Sequence, residues 1–296
     1  MEMTAEHSSD NEIYRQHLPE KKRIVVKVGS SSLLHSQTQR LDYHRIDRLA
    51  GELSDLKNAG KDVILVSSGA AAAGREALGL SSDVYRAEIG MNIKQACAAV
   101  GQARLIQIYQ KFFSEYNQTC AQVLMTKNTV ANPSSRENLQ NTMEELLRLG
   151  VIPIVNENDS VAVNEFIVGD NDNLSAMVAS VTHADLLILL SDVEGLFTDD
   201  PRKNPHASFI ECVPHLDDTF LRMGKKSTGS FAGTGGMDTK LHAARIATAS
   251  GCDMVICTTA RGMGIIRDVA TGKNVGTLFV ACPDANFRLD DYIRQL

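Results

Sequence analysis

The chain has 296 residues, of which 43% are hydrophobic, and a formal net charge of −6 at pH 7. These values fit one large α/β domain or two closely joined ones, and the mild acidity argues against nucleic acid as a partner. There is no apolar run of about 18 residues and no apolar core of a secretion signal, so we expect a cytoplasmic protein without a membrane span. The six cysteines form no C-x-x-C pair, which indicates free thiols rather than disulfides or a metal site.

The first part of the chain predicts a flexible arm followed by a buried strand. Residues 1–20 are polar and predict the arm. Arg23–Gly29 is a short apolar run that ends in a turn-forming glycine, which predicts the strand. Lys27, within this run, is either a lysine at the surface edge or a lysine aimed over the end of the sheet at an anion.

A second helix and strand lead to a segment of small residues. Leu41–Asn58 has a helical period that Gly60 is placed to end, and Asp62–Val66 is a buried strand. Ser67–Arg75 then predicts a small-residue turn and a helix start. Such a turn presents backbone N–H groups to an anion, but small residues also permit close helix packing. The spacing does not choose between the two interpretations.

The remaining chain alternates helices and strands, which predicts an α/β fold with a mainly parallel central sheet and helices on both faces. The predicted helices are Gln95–Tyr116, Arg136–Leu149, Asn173–Ala184 and Thr239–Ser250. The predicted strands are Ala121–Met125, Val151–Val155, Leu186–Asp192, Asp253–Cys257 and Thr277–Val280.

Polar side chains collect where three of these elements meet. Four Asp and Asn residues, 170–173, open one helix, although a helix start needs one such cap. The strand before them ends in Asn156-Glu-Asn-Asp159, and the strand after them ends in Ser191-Asp192. Since open α/β sheets bind ligands at the carboxyl ends of their strands, this pattern predicts a binding crevice.

A glycine-rich loop, Gly233-Thr-Gly-Gly236, precedes Lys240 on the following helix. It is neither a P-loop nor a dinucleotide fingerprint, because the required spacings do not occur. Backbone N–H groups together with that lysine could hold a polyphosphate, although the signal is weak by itself.

In combination these motifs are specific. Ser-Gly-Ala-Ala-Ala-Ala-Gly-Arg (68–75), Val-Gly-Asp-Asn-Asp-Asn-Leu-Ser-Ala (168–176) and Gly-Thr-Gly-Gly-Met-Asp-Thr-Lys (233–240) occur in one order. The chain from about Arg23 to Val280 thereby resembles the amino acid kinase family, and in particular its glutamate-phosphorylating members. The resemblance implies a three-layer αβα sandwich over residues 21–296. It also implies an acceptor lobe over about 21–184 and a nucleotide lobe over about 185–296. Many bacterial members carry a further C-terminal PUA domain, which we do not expect here.

The implied reaction is ATP-dependent phosphorylation of the γ-carboxylate of L-glutamate to γ-glutamyl phosphate, the first step of proline biosynthesis. A carboxylate of reference pKa about 4.3 is already ionised, so no general base is required. The resemblance implies that Lys27 and Lys240 stabilise the transferring phosphoryl group while Asp172 orients the two lysines. Mg²⁺ would bind on the phosphates with Asp172 or Asp170 as direct or water-mediated partners, and no dedicated metal site is expected.

The resemblance also implies the binding residues. For the acceptor these are Ser68, Asp159 and Asn171, with Asp170 and Asn156 as second candidates. For the nucleotide they are Lys27, Gly29, Ser191, Asp192, Thr234, Gly235, Gly236, Met237, Asp238, Thr239 and Lys240. An alternative interpretation of Asp159 and Asp192 is that they are turn or cap residues.

Three further expectations come with the family. A loop over Ala87–Gln102 could take part in feedback inhibition by proline, and the chain should form a homo-oligomer, a dimer or a tetramer. An N-acetylglutamate kinase is a rival, but its acceptor has no ammonium for Asp159, and an aspartokinase would need C-terminal sensing domains. A non-catalytic sensor of amino acid or nucleotide is the other rival, which the two lysines and Asp172 argue against.

Overall fold

The fold is built on a mainly parallel sheet, seen in a computed structural model that describes residues 6–80, 90–161, 171–217, 219–221 and 236–295. Within these ranges eight strands pair in the order β3-β4-β2-β1-β5-β9-β10-β8, and only the β9–β10 pairing among them is antiparallel. The strands are β1 Arg23–Val28, β2 Asp62–Ser67, β3 Cys120–Met125, β4 Ile152–Glu157, β5 Leu186–Ser191, β8 Cys212–Val213, β9 Asp253–Thr258 and β10 Thr277–Phe279. Two short strands, β6 Leu196–Phe197 and β7 Phe209–Ile210, pair separately.

Helices cover both faces of this sheet. They are α1 Glu6–Gln16, α2 Ser30–Leu33, α3 Tyr43–Asn58, α4 Ala70–Ala77, α5 Met91–Glu115, α6 Lys127–Ala131, α7 Pro133–Arg148, α8 Asn171–Val181, α9 Met237–Ala249, α10 Ile265–Ala270 and α11 Leu289–Gln295. None of the described helices is long and apolar enough to cross a membrane.

Side-chain alternation along the strands divides the core in two. In β1, Val26 and Val28 pack in one apolar cluster, whereas Val25 packs in the other. Helix α3 contributes to the first cluster, and helices α8 and α9 contribute to the second. Because successive strand residues point to opposite faces, each face needs its own helical layer. The predicted three-layer αβα sandwich is therefore confirmed.

The parallel pairing brings several strand ends to one edge. Lys27 of β1 is level with Val66 of β2 and with Leu189 of β5. The polar residues that follow β2, β4 and β5 thus emerge near Lys27. This edge is where the sequence predicts the binding crevice.

The prediction of a flexible arm is wrong for residues 6–20. Helix α1 and a 3₁₀ turn over Leu18–Glu20 occupy this segment, and Arg15 is 2% exposed. Its guanidinium donates to the carbonyl oxygens of Val275 at 3.0 Å and Gly276 at 2.9 Å. A buried guanidinium needs such acceptors, and these contacts hold α1 against the far end of the chain.

The segment predicted as a loop over Ala87–Gln102 is largely helical, because α5 begins at Met91. Residues 87–89 lie outside the described ranges. Helix α5 packs very closely on α4: a Cβ placed at Gly74 would lie 1.7 Å from the carbonyl oxygen of Cys97. The small residues after β2 therefore permit close helix packing.

Candidate active site

The site is centred on Asp172 in the first turn of α8. Asp172 is 1% exposed, and its Oδ1 accepts a hydrogen bond from Lys27 Nζ. Its Oδ2 accepts from Lys240 Nζ at 3.1 Å and from Thr239 Oγ1 at 3.1 Å. Strand β1 supplies Lys27 and helix α9 supplies Lys240, so one carboxylate holds two ammonium groups that come from different elements.

This cluster carries a net positive charge. Burial alone would raise the pKa of Asp172, but Lys27 and Lys240 hold that pKa well below its usual range. The carboxylate is therefore ionised, and one negative charge faces two positive ones. Lys27 and Lys240 are 8% and 5% exposed, and a charge in such a buried setting interacts with an anion more strongly than a charge at the surface does.

Gly29 leaves space beside Lys27. A Cβ at position 29 would lie 3.4 Å from Lys27 Nζ, at the limit of comfortable contact. Larger side chains there would crowd the ammonium group. The structure thus places Gly29 next to the cluster, and its nucleotide-binding role stays a prediction.

A second polar group surrounds Asn171, the neighbour of Asp172. Its Nδ2 donates to Ser68 Oγ at 2.8 Å and to Asn156 Oδ1 at 3.1 Å. Its Oδ1 is buried and accepts no hydrogen bond from the described residues. Because a buried acceptor without a partner is costly, this oxygen is available to a donor on a ligand.

Asp159 lies in the segment after β4 and is partly buried. Burial raises the pKa of its carboxyl to about 6. A cationic ligand group would offset this cost, because an opposite charge favours the ionised carboxylate. Asp159 therefore suits an ammonium.

The predicted nucleotide residues fall at two places on the same edge. Ser191 ends β5 and is 5% exposed, while Asp192 is exposed and accepts from Ser191 Oγ at 3.2 Å. Gly236 caps α9, whose first residues are Met237, Asp238, Thr239 and Lys240. The other predicted residues, Asp170, Thr234 and Gly235, lie outside the described ranges.

The sequence did not reveal one contact of a predicted residue, Thr239, and it did not reveal Tyr109. Thr239 was expected to bind nucleotide only, yet its hydroxyl donates to Asp172. Tyr109 is fully buried in α5, and its Oη lies 2.7 Å from Ser67 Oγ. A tyrosine within an apolar helical stripe is a signal for such a contact, because a buried hydroxyl needs a partner.

Solved structures share the fold. UMP kinase from Ureaplasma parvum superposes with a TM-score of 0.61 at 17% identity, covering 88% of this chain and 99% of that one. Carbamate kinase from Giardia lamblia bound to AMP-PNP gives a TM-score of 0.61 at 16% identity with the same coverage. At these identities the likeness concerns the fold alone.

Sequence comparison is more specific. The model of the family described as "Amino acid kinase family" matches residues 22–258. Glutamate 5-kinase from Carboxydothermus hydrogenoformans is 47% identical over 90% of this chain and 69% of its own length. The enzymes of the same name from Enterococcus faecalis and Clostridium perfringens are 45% and 42% identical over 90% of this chain, and 97% and 98% of their lengths are covered. The chain therefore belongs to the amino acid kinase family and, within it, to the glutamate 5-kinases.

Proposed function

We propose that this protein transfers the γ-phosphoryl group of ATP to the γ-carboxylate of L-glutamate. The product is γ-glutamyl phosphate, and the reaction is the first step of proline biosynthesis. The observation that carries the proposal is the buried cluster in which Asp172 holds Lys27 and Lys240 beside the Asn171 amide. Relatives that are 41–47% identical to this chain are named for this activity.

For this reaction the protein has to position the two substrates and to supply positive charge. The attacking carboxylate is ionised at neutral pH, so no side chain has to remove a proton. The difficulty is the approach of one anion to another. Lys27 and Lys240 oppose that repulsion and stabilise the charge on the transferring group, and Asp172 keeps both ammonium groups in place.

Mg²⁺ fits this site as an ion held by the nucleotide. The described residues contain no group of three or more His, Cys, Asp or Glu side chains that could hold a metal. Both oxygens of Asp172 already accept hydrogen bonds from Lys27, Lys240 and Thr239. Mg²⁺ commonly keeps several waters and binds through substrate phosphates, where it neutralises their charge. We therefore assign Asp172 as the hydrogen-bond acceptor of the two lysines, with any contact to Mg²⁺ made through water, and Asp170 lies outside the described ranges.

The acceptor site suits the two charged groups at the other end of glutamate. The α-ammonium can donate to the buried Asn171 Oδ1 and pair with Asp159. Ser68 and the backbone N–H groups near it suit the α-carboxylate. N-Acetylglutamate keeps an amide N–H that could donate to Asn171 Oδ1, but it has no positive charge to pair with Asp159, and this disfavours it as the acceptor.

The direct test is a panel of acceptors. Purified protein is supplied with ATP, Mg²⁺ and either L-glutamate, N-acetyl-L-glutamate, L-aspartate or L-glutamine, and both ADP release and hydroxamate formation with hydroxylamine are measured. We expect turnover with L-glutamate far above the other three. Equal turnover of N-acetyl-L-glutamate would refute the assignment, and binding of glutamate and ATP without ADP release would favour a sensor.

Three further proposals concern regulation, assembly and the division of the chain into lobes. Free proline carries an ammonium and a carboxylate on one carbon, as glutamate does, and so fits the same charged groups as a competing inhibitor. Activity that is unchanged at millimolar proline would remove this proposal. We also propose that the protein forms a homo-oligomer, a dimer or a tetramer, and light scattering tests this by measuring its mass in solution. We further propose that the chain divides into two lobes near residue 184.

A further inference from the structure

Helix α5 carries two buried polar side chains on the side that faces the sheet. Gln102 is 7% exposed and Tyr109 is fully buried. They are seven residues apart, which is close to two helical turns, so they lie on one face of the helix. Each polar side chain in this apolar stripe is explained by a hydrogen bond at the end of a strand.

Tyr109 is bonded to the end of β2. Its Oη lies 2.7 Å from Ser67 Oγ, and Ser67 Oγ in turn donates to the carbonyl oxygen of Ser68 at 2.9 Å. Since the hydroxyl proton of Ser67 is used in this way, Tyr109 is the donor of the first bond. Burial raises the pKa of Tyr109, which keeps its phenol protonated. Two successive hydrogen bonds therefore connect Tyr109 of α5 to the backbone carbonyl of Ser68.

Gln102 is bonded to the end of the neighbouring strand. Its Nε2 donates at 3.0 Å to the carbonyl oxygen of Glu157, the last residue of β4. Asn156 and Asp159 flank that residue in the chain. Gln102 thus fixes the backbone that presents two of the predicted acceptor residues.

The position of α5 is itself tightly determined. A Cβ at Gly101 would lie 1.7 Å from the carbonyl oxygen of Ala70, the first residue of α4. Helix α4 follows directly after Ser68 and Gly69. Helix α5 cannot shift without moving the start of α4, so its two polar side chains are anchored relative to the strand ends.

We infer that Tyr109 and Gln102 are positioning residues of the acceptor site, which hold Ser68 and the segment of Asp159 in register for L-glutamate. The inference rests on the proposed function and extends it to residues that do not touch substrate. Asn171 links the two strand ends from the opposite side, because its Nδ2 contacts both Ser68 and Asn156.

The test compares matched hydroxyl deletions, one within α5 and one at Tyr116, the C-cap of the same helix. Tyr109→Phe removes only the buried hydroxyl, and Tyr116→Phe removes a surface hydroxyl bonded to Asp47 Oδ1 at 3.1 Å. For Tyr109→Phe we expect KM for L-glutamate to rise about three- to tenfold, because the loss of one buried hydrogen bond has an effect of this size. KM for ATP should not change. Gln102→Met should act in the same direction, and Tyr116→Phe should change neither KM.

A double-mutant cycle separates positioning from general loss of stability. If the path runs through Ser67, then Tyr109→Phe should add little to the KM effect of Ser67→Ala. An unchanged KM for L-glutamate in Tyr109→Phe, or an equal rise in both KM values, overturns the inference alone. A wild type that releases no ADP with L-glutamate overturns the proposed function and the inference with it.

Discussion

At the scale of single residues the account depends on charges that are buried together. Removing Lys240 would leave Asp172 paired with Lys27, so the folded site should survive while one of the two positive charges that we propose face the phosphate is lost. We expect Lys240→Ala to lower kcat by about 10³-fold, the size typical of a lost electrostatic stabiliser, with glutamate binding nearly unchanged.

The control for that variant is Lys111→Ala, which removes an exposed lysine of α5. It should retain wild-type kcat. Steady-state ADP release measures kcat, and isothermal titration with L-glutamate measures binding. If Lys240→Ala keeps more than a tenth of the wild-type kcat, then Lys240 is not the principal stabiliser of the transferring phosphoryl group that we propose.

Asp159 gives the site a pH dependence. Its raised pKa of about 6 means that the carboxyl takes up a proton at higher pH than an ordinary aspartate. At pH 5 it is about nine-tenths protonated and can no longer pair with the ammonium of glutamate. KM for L-glutamate should therefore rise as pH falls through 6, while KM for ATP stays level.

Asp159→Asn serves as the comparison for this profile. It should show a high KM for L-glutamate at all pH values and no additional rise between pH 7 and pH 5. Titration of KM against pH for both proteins measures the difference. A parallel rise in the two profiles would assign the titration to another group.

The sequence could indicate Asp172 and Lys240 because each lies in a motif with more polar or glycine residues than local structure needs, and Lys27 because it is a charged residue within an apolar run. It could not indicate the partner of each charge. The hydrogen bond of Thr239 to Asp172 joins residues 67 positions apart, and the bond of Asn171 to Ser68 joins residues 103 positions apart. Such pairs depend on strand order, which no local pattern specifies.

At the scale of elements, the contact of α4 with α5 is the least tolerant of change. A Cβ at Gly101 would overlap the backbone of Ala70, and backbone cannot be displaced by a side-chain rotation. We expect Gly101→Ala to lower the free energy of unfolding by about 3 kcal/mol, at the upper end for overpacking. Chemical denaturation measures this change.

Gly90→Ala is the matched control, since a Cβ at this N-cap of α5 meets nothing within 4 Å. It should change the free energy of unfolding by less than about 0.5 kcal/mol. Equal stability of the two variants would show that α4 and α5 are not in backbone contact.

Elements differ in how far the sequence predicts them. The buried strands β1, β2 and β5 are continuous apolar runs, which is the pattern of central parallel strands. Helix α1 was not predicted because its sequence is polar. Its contact with the rest of the fold depends on Arg15, whose carbonyl acceptors lie up to 261 positions away in the chain. The antiparallel direction of β10 is likewise set by its neighbours rather than by its own residues.

At the scale of the whole molecule, one sheet joins the segments that we propose bind the two substrates. Strand β1 holds Lys27 and lies between β2, which leads to Ser68, and β5, which leads to Ser191. Two apolar cores, one on each face, keep this order rigid. The residues proposed for the acceptor and those proposed for the nucleotide therefore lie at one edge, with the Asp172 cluster between them.

The central claim is that the γ-carboxylate of glutamate attacks phosphorus at this edge, and an oxygen label tests it most directly. L-Glutamate labelled with ¹⁸O in both γ-carboxylate oxygens is turned over with unlabelled ATP and hydroxylamine, and the released phosphate is analysed by mass. The account predicts one ¹⁸O in each phosphate, because hydroxylamine attacks the acyl carbon and expels the bridging oxygen with phosphorus. Phosphate without the label would show that ATP is merely hydrolysed and would contradict the account.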